Sequence, residues 1–269
     1  MPASRLADAF AALRQRGRKA FVAYLCAGDP DLERTVELVA ALAEAGVDVV
    51  ELGIPYSDPM ADGPAIQAAC DRALRAGTTV RGVLDTVRRI RMRSAVPIVA
   101  FTYANPLLAY GVERFAADAA AAGVDGVLPL DLPPEEGPEL LAALRAAGLA
   151  TVCMVAPTTT PERRRLLGAA TGGFLYYICR MGTTGERADL PEDLAAQVAG
   201  LRAATTAPVC IGFGISSPAQ AAAAAAVGDG VVVGSHLVRL VERHAGDPAL
   251  AALVGARARA LAEAVHAAP

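Results

Sequence analysis

The stretch DLERTVELVAALAEAGVDVVELG (residues 31–53) contains the repeating unit from which we infer the fold. Residues 31–46 carry apolar side chains on one side of a predicted helix and end in a glycine, as helices often do. Residues 47–53 form a nearly continuous apolar run, which is typical of a strand covered on both faces of a parallel sheet. The apolar helix positions are Val36, Leu38, Val39, Leu42 and Ala43.

The same unit recurs along the whole chain. Eight strand-like runs, separated by alanine-rich helical patterns, fit into 269 residues, which is the size of a (β/α)8 TIM barrel. We therefore predict an α/β fold with one barrel domain over residues 1–269 and an extra N-terminal helix within residues 1–17. A doubly wound open sheet is the alternative, but it usually has a GxGxxG turn where this chain has AGDP. The runs begin at Phe21, Val47, Pro97, Gly126, Ala150, Gly173, Ala207 and Gly230.

Composition excludes several classes of function. A formal net charge of -3 gives no indication of a nucleic-acid partner. The longest apolar run, residues 220–234, contains Asp229 and is mostly alanine, so we expect no membrane span. The N-terminus does not resemble a signal peptide. Five cysteines without a CxxC or Cys/His pattern indicate buried, reduced thiols and a cytoplasmic protein.

Two glycine-containing turns near the C-terminus indicate a phosphate site. GFGISS (residues 212–217) follows the seventh predicted strand, and Gly234 with Ser235 follows the eighth. Glycines let the backbone approach an anion, and helix N-termini direct N–H groups at it. Barrels often bind phosphate at these two loops, so we expect a phosphorylated small-molecule substrate.

Elimination restricts the chemistry. Lys19 is the one lysine of the chain and lies before the first strand, so a Schiff-base aldolase is not expected. The three histidines lack metal-ligand spacing, so we expect no metal site. Carboxylates and tyrosines remain at the predicted barrel mouth, and they suit general acid–base catalysis.

The segment ELGIPYSDPMADGP (residues 51–64) places acidic residues at that mouth. Glu51 lies near the end of the second strand without a basic neighbour in sequence, and burial there would raise its pKa towards neutrality. Asp58 and Asp62 lie in a proline-rich loop, where turn formation or capping of the next helix is the alternative to catalysis.

Five motifs in the same order resemble the tryptophan synthase alpha chain family from end to end. This resemblance implies a (β/α)8 barrel that cleaves indole-3-glycerol phosphate to indole and glyceraldehyde 3-phosphate by a retro-aldol reaction, without a metal or an organic cofactor. The motifs are GDP (28–30), ELGIPYSDPMADGPAIQ (51–67), YANP (103–106), RMGTTG (180–185), and GFGISS (212–217) with the later GS.

The resemblance also implies roles for individual residues. Glu51 matches the general acid/base that protonates indole C3, and Asp62 matches the carboxylate that holds the indole N–H. Tyr176 matches an active-site tyrosine near Glu51, and we expect it to be a third catalytic residue. The matched substrate-binding positions are Phe21, Phe101 and Leu128 in the indole pocket, Thr184 in a lid over residues 180–190, and Gly185, Gly214, Gly234 and Ser235 at the phosphate.

The family works with a beta subunit, and the resemblance implies that loop 57–62 faces it. Two alternatives remain: a stand-alone lyase that releases free indole, and a catalytically silent barrel that acts as an allosteric partner. The paired acids Glu51 and Asp62 argue against the silent barrel. Departures from the usual family pattern leave partner dependence open, and for His236 we expect a solvated surface position. These departures are Ala23, Cys26, Cys179, Thr183 and His236.

Overall fold

The strand–helix repeat forms a barrel. A computed structural model describes residues 4–179, 190–212 and 214–269. Its strands are β1 Ala20–Cys26, β2 Val49–Gly53, β3 Ile98–Thr102, β4 Gly126–Pro129, β5 Ala150–Thr151, β6 Cys153–Val155, β7 Leu175–Ile178, β8 Val209–Gly212 and β9 Gly230–Val233. The helices up to residue 122 are α1 Arg5–Gln15, α2 Leu32–Glu44, α3 Pro64–Arg75, α4 Val80–Arg91, α5 Ala104–Tyr110 and α6 Val112–Ala122. The later helices are α7 Pro138–Ala146, α8 Pro161–Ala170, α9 Leu194–Arg202, α10 Pro218–Val227, α11 Ser235–Arg243 and α12 Leu250–His266.

The sheet is parallel, and its order brings the chain back to its starting strand. The strands follow the order β5-β4-β3-β2-β1-β9-β8-β7-β6. Only Val152 separates β5 from β6, so these two strands are parts of one interrupted strand and the sheet is nearly closed. The eight predicted strands are thereby confirmed, and the open doubly wound alternative is wrong.

Side chains alternate between two apolar layers, as β1 demonstrates. Phe21 and Leu25 belong to the outer layer between the sheet and the helices. Val22, Tyr24 and Cys26 belong to the inner layer, which fills the barrel. This two-residue period decides which residues of each strand can reach a site inside the barrel.

Three aspartates fasten the amino-terminal ends of the strands. Each precedes a strand, and its Oδ2 accepts a hydrogen bond from a backbone N–H at the start of the neighbouring strand. Asp48 accepts from Phe21 at 2.8 Å, Asp125 from Ile98 at 2.8 Å, and Asp229 from Val209 at 2.9 Å. These carboxylates thus have a structural task at the end of the barrel opposite the mouth.

Helix α1 closes that same end, which confirms the predicted extra N-terminal helix. Ser4 caps it by accepting a hydrogen bond from the Ala7 N–H. Leu6 and Phe10 join the inner apolar layer, and the Phe10 ring centroid lies 5.7 Å from that of Phe174. Within the described ranges, no helix is both long enough and apolar enough to cross a bilayer.

Because Leu6 is completely buried, we expect Leu6→Ala to lower the free energy of unfolding by about 2–5 kcal/mol, through lost apolar contact and a residual cavity. Urea denaturation of the purified variant measures this change. Leu108→Ala is the matched control, since Leu108 is 60% exposed and should change stability by less than about 0.5 kcal/mol. Equal effects of the two substitutions would contradict the role given to α1.

Candidate active site

Glu51 lies inside the barrel near the carboxyl end of β2. It pairs in register with Tyr24 on β1 and Val99 on β3, and both of these residues belong to the inner layer. The Glu51 side chain is 1% exposed, and its Oε1 has no hydrogen-bond partner among the described residues. Burial alone raises the pKa of Glu51 to about 8. The carboxyl is therefore mostly protonated at pH 7 and can donate a proton.

Asp62 is a second buried carboxyl, but it has a hydrogen-bond partner. The Tyr103 hydroxyl donates to Asp62 Oδ2 at 2.9 Å and accepts from the Ala61 N–H at 3.1 Å. Burial raises the pKa of Asp62, and the Tyr103 hydrogen bond opposes this effect, so that the pKa is about 6. Asp62 is therefore mostly ionised at pH 7, where Glu51 is not.

The two aspartates of this loop have different environments in the structure. Gly63, and not Asp62, is the N-cap residue of α3, so helix capping does not explain Asp62. Asp58 is exposed and accepts a hydrogen bond from the adjacent Ser57 hydroxyl at 2.7 Å, in keeping with turn formation.

Two tyrosines extend into the barrel beside these carboxyls. Tyr176 on β7 belongs to the inner layer, as does Tyr24 on β1. Burial raises the pKa of each phenol well above 10, and the charges of Glu51 and Asp62 raise it further. A Cβ at Gly53 would clash with the Tyr24 hydroxyl, and a Cβ at Gly212 would clash with that of Tyr176. These glycines thus make room for both rings.

Tyr24 corrects the prediction that Phe21 lines the pocket. Phe21 faces the helices, because it lies three positions from Tyr24 and side chains alternate along a strand. The sequence indicated that β1 and β2 are neighbours, but the register that pairs Tyr24 with Glu51 is visible only in the structure. Once this register is known, Tyr24 is the β1 residue opposite Glu51 and faces the same interior.

The other two predicted wall residues lie in the inner layer. Phe101 on β3 pairs in register with Leu128 on β4. The Phe101 ring meets the Tyr24 ring edge to face, with centroids 5.1 Å apart. Phe101, Leu128 and Tyr24 therefore form apolar surface within the same interior as Glu51.

The two predicted phosphate loops lie side by side, because β8 pairs with β9. Gly214 has a φ of 67°, a left-handed conformation that favours glycine. Gly234 is the N-cap residue of α11, and Ser235 is its buried first residue. The remaining predicted contacts, Thr184 and Gly185, lie outside the described residues, as do Thr183 and most of the predicted lid.

A salt-bridge chain that sequence reasoning missed holds the helices over this end of the barrel. Arg72 on α3 donates Nε–H and Nη2–H hydrogen bonds to the buried Asp29 at 2.8 and 2.9 Å. Its Nη1 lies 2.7 Å from Glu242 on α11. A bidentate pair fixes direction as well as distance, so Arg72 orients α3 and α11 relative to the loop after β1.

Lys19 donates to the Gly228 carbonyl at 3.2 Å, at the amino-terminal end of the barrel and away from Glu51. Among residues 4–179, 190–212 and 214–269, no group of three or more His, Cys, Asp or Glu side chains is arranged to hold a metal ion.

Comparisons with known proteins agree with one another. The sequence profile of the family described as "Tryptophan synthase alpha chain" matches residues 10–266. The tryptophan synthase alpha chain of Geobacter sulfurreducens is 53% identical over 240 residues, which cover 89% of this chain and 91% of the relative.

Solved structures give the same result. A tryptophan synthase structure from Mycobacterium tuberculosis has a TM-score of 0.90 at 40% identity and covers 98% of this chain and 99% of its own. Tryptophan synthase subunit alpha of Legionella pneumophila also has a TM-score of 0.90, at 35% identity and 98% coverage of both chains. The sequence and structure matches, together with the barrel and its paired carboxyls, show that the chain belongs to the tryptophan synthase alpha chain family.

Proposed function

We propose that this barrel mouth cleaves indole-3-glycerol phosphate to indole and glyceraldehyde 3-phosphate, with Glu51 and Asp62 as its catalytic pair. Family membership makes the chain a carbon–carbon lyase of tryptophan biosynthesis. The observation that carries the assignment of residues is the contrast between the carboxyls. Glu51 is buried, lacks a partner at Oε1 and has a raised pKa of about 8, whereas Asp62 has a pKa of about 6.

The contrast suits a reaction that needs an acid and an anion at once. Protonated Glu51 delivers its proton to indole C3, which leaves positive charge on the ring nitrogen. The Asp62 carboxylate accepts a hydrogen bond from the indole N–H and balances that charge. Glu51, now ionised, takes the proton of the glycerol hydroxyl nearest the ring. As the aldehyde C=O forms, the bond from that carbon to C3 breaks and its electron pair returns to the ring, which releases indole and regenerates protonated Glu51.

The surrounding side chains fit the rest of the substrate. Phe101 and Leu128 supply apolar wall for the flat indole ring, together with Tyr24 in place of Phe21. Tyr176 stands beside the carboxyls as a further positioning group.

For the phosphate, we assign the backbone at the β8 and β9 loops. Gly214, Gly234 and Ser235 lie where helix N-termini and a left-handed turn present N–H groups. By the family resemblance, we extend this assignment to Gly185, and we assign Thr184 a contact with the loop that contains Asp62.

The tryptophan synthase alpha family works with a beta subunit, and we propose that loop 57–62 forms the contact. Ser57 and Asp58 are exposed, and the Met60 side chain is 86% exposed. Asp62 ends the same loop but is buried and bonded to Tyr103. A partner seated on the outer part of the loop could therefore change the position of a catalytic carboxylate. The comparisons favour this alpha-subunit role over a stand-alone lyase or a silent barrel.

We further infer that residues 1–269 act as one domain, since α1 closes the barrel and α12 packs into its outer layer. A cytoplasmic location remains our expectation, and the burial of all five cysteines supports it.

Glu51→Gln removes the proton donor while preserving the size of the side chain. We expect kcat/KM for indole release from indole-3-glycerol phosphate to fall by about 10²–10⁴-fold, the usual contribution of a positioned acid–base group. Glu37→Gln, on the surface-exposed side of α2, is the matched control and should retain full activity.

Unfolding measurements separate lost chemistry from lost structure in this variant. Because the folded-state pKa of Glu51 is raised to about 8, above its value of about 4.3 in an unfolded chain, the carboxyl destabilises the fold increasingly as pH rises between those values. Glu51→Gln should therefore be at least as stable as the natural chain at pH 8. Unchanged indole release would reject the acid–base role of Glu51, whereas absence of indole release from the natural chain itself would favour the silent barrel.

The pH dependence of kcat/KM should be bell-shaped. Activity rises through pH 6 as Asp62 ionises and falls above pH 8 as Glu51 loses its proton. Tyr103→Phe removes the hydrogen bond that lowers the pKa of Asp62, so the acidic limb should move to higher pH while the basic limb stays.

Tyr110→Phe is the control for this shift, because the Tyr110 hydroxyl also donates to an aspartate, Asp118, at 2.7 Å. That pair lies on α5 and α6. If Tyr110→Phe shifts the acidic limb as much as Tyr103→Phe does, the limb does not report Asp62.

Partner contact is tested with two exposed methionines. We expect a beta subunit to stimulate indole release by an order of magnitude or more, and Met60→Asp to reduce this stimulation while basal release persists. Met92→Asp, at a side chain that is 79% exposed after α4, should leave stimulation intact. Equal stimulation of the two variants would contradict the proposal that loop 57–62 contacts the beta subunit.

A further inference from the structure

Arg257 on α12 contacts the β8 loop and the first turn of α11, the two segments that carry the residues to which we assign the substrate phosphate. Its Nε–H donates to His236 Nε2 at 2.7 Å, and its Nη2–H donates to the Ser216 carbonyl at 2.5 Å. Ser216 lies two residues beyond Gly214, and His236 directly follows Ser235. One guanidinium thus joins the β8 loop to the first turn of α11.

The charge of Arg257 matters because the loops have no cation of their own. Residues 212–217 and 234–235 contain neither lysine nor arginine, so only N–H and hydroxyl groups there can meet a phosphate dianion. Arginine is charged at every physiological pH, and its planar fork holds two acceptors in a fixed geometry. Arg257 therefore combines a permanent positive charge with a constraint on both loops.

The contact also corrects the expectation that His236 is a solvated surface residue. His236 is half-buried, and its Nε2 accepts a hydrogen bond from Arg257, so a neutral ring carries its proton on Nδ1. The side chain is part of the link between the loops.

We propose that Arg257, acting through Ser216 and His236, is a positioning residue that sets the affinity of this barrel for the phosphate group of its substrate. This inference rests on the proposed function, because it concerns the phosphate end of the same site. Two parts of the molecule thus bind the two ends of the substrate. The inner apolar layer binds the indole ring, and the Arg257 link holds the loops that bind the phosphate.

The test compares phosphate and indole binding in matched variants. Arg257→Gln should raise KM for indole-3-glycerol phosphate about tenfold, equivalent to about 1.4 kcal/mol, with kcat changed less than about twofold. Direct titration should show a similar loss of affinity for inorganic phosphate, whereas the affinity for indole stays constant. Arg257→Lys should fall between, since it keeps the charge but loses the fork.

Two controls make the result specific to the link. Arg259 lies two residues further along the same helix, is exposed and donates a hydrogen bond to the Glu44 carbonyl at 3.1 Å. Arg259→Gln should therefore leave KM and the affinity for phosphate unchanged. His236→Ala combined with Arg257→Gln should weaken phosphate binding by less than the product of the two single effects, because the residues act through one contact.

Unchanged phosphate affinity in Arg257→Gln would overturn the proposal, and so would an equal loss of phosphate and indole affinity, which indicates general damage. A natural chain that binds phosphate through Arg257 but releases no indole would reject the proposed reaction and leave this inference intact. The two failures are therefore distinguishable.

Discussion

The alternation of side chains along a closed parallel sheet is the constraint on which the other features of this protein depend. Every second residue of each strand faces a shared interior, and the residues between them face the helices. Closure brings Tyr24, Glu51, Phe101 and Tyr176, which are distant in sequence, into one interior. The same constraint makes Phe21 part of the outer layer, three positions from Tyr24.

Within that interior, burial is the main cause of the raised pKa values of Glu51 and Asp62. The Glu51 carboxyl, whose Oε1 has no hydrogen-bond partner among the described residues, retains its proton to about pH 8, whereas the Asp62 carboxyl, which Tyr103 contacts, ionises nearer pH 6. The difference arises from one hydrogen bond and from unequal desolvation. The interior that suits catalysis also costs stability, since a buried Glu51 opposes folding as the pH rises. The amino-terminal end offsets such costs through α1 and the aspartates that fasten the strands.

The carboxyl-terminal ends of the strands carry the loops and helix contacts that shape the proposed site. Loop 57–62 is exposed at Met60 and buried at Asp62, so it connects the surface to the catalytic interior in a few residues. Arg72 ties α3 and α11 to the loop after β1, and Arg257 ties the β8 loop to α11. Helix α11 therefore responds to contacts from two directions, and the proposed phosphate site lies at its first turn.

The sequence by itself determined the fold class, the eight strands, the N-terminal helix and the approximate position of the mouth, because these follow from local periodicity and chain order. It also singled out Glu51 and Asp62, since an acid at the end of an apolar strand and acids in a proline-rich loop are visible without coordinates. Tertiary structure alone decided which carboxyl is protonated at neutral pH, because desolvation and the Tyr103 hydrogen bond depend on residues far apart in the chain. The strand register also showed that Tyr24, and not Phe21, lines the pocket. The link from Arg257 to His236 became visible only in the structure, because these residues are 21 positions apart and lie on different helices.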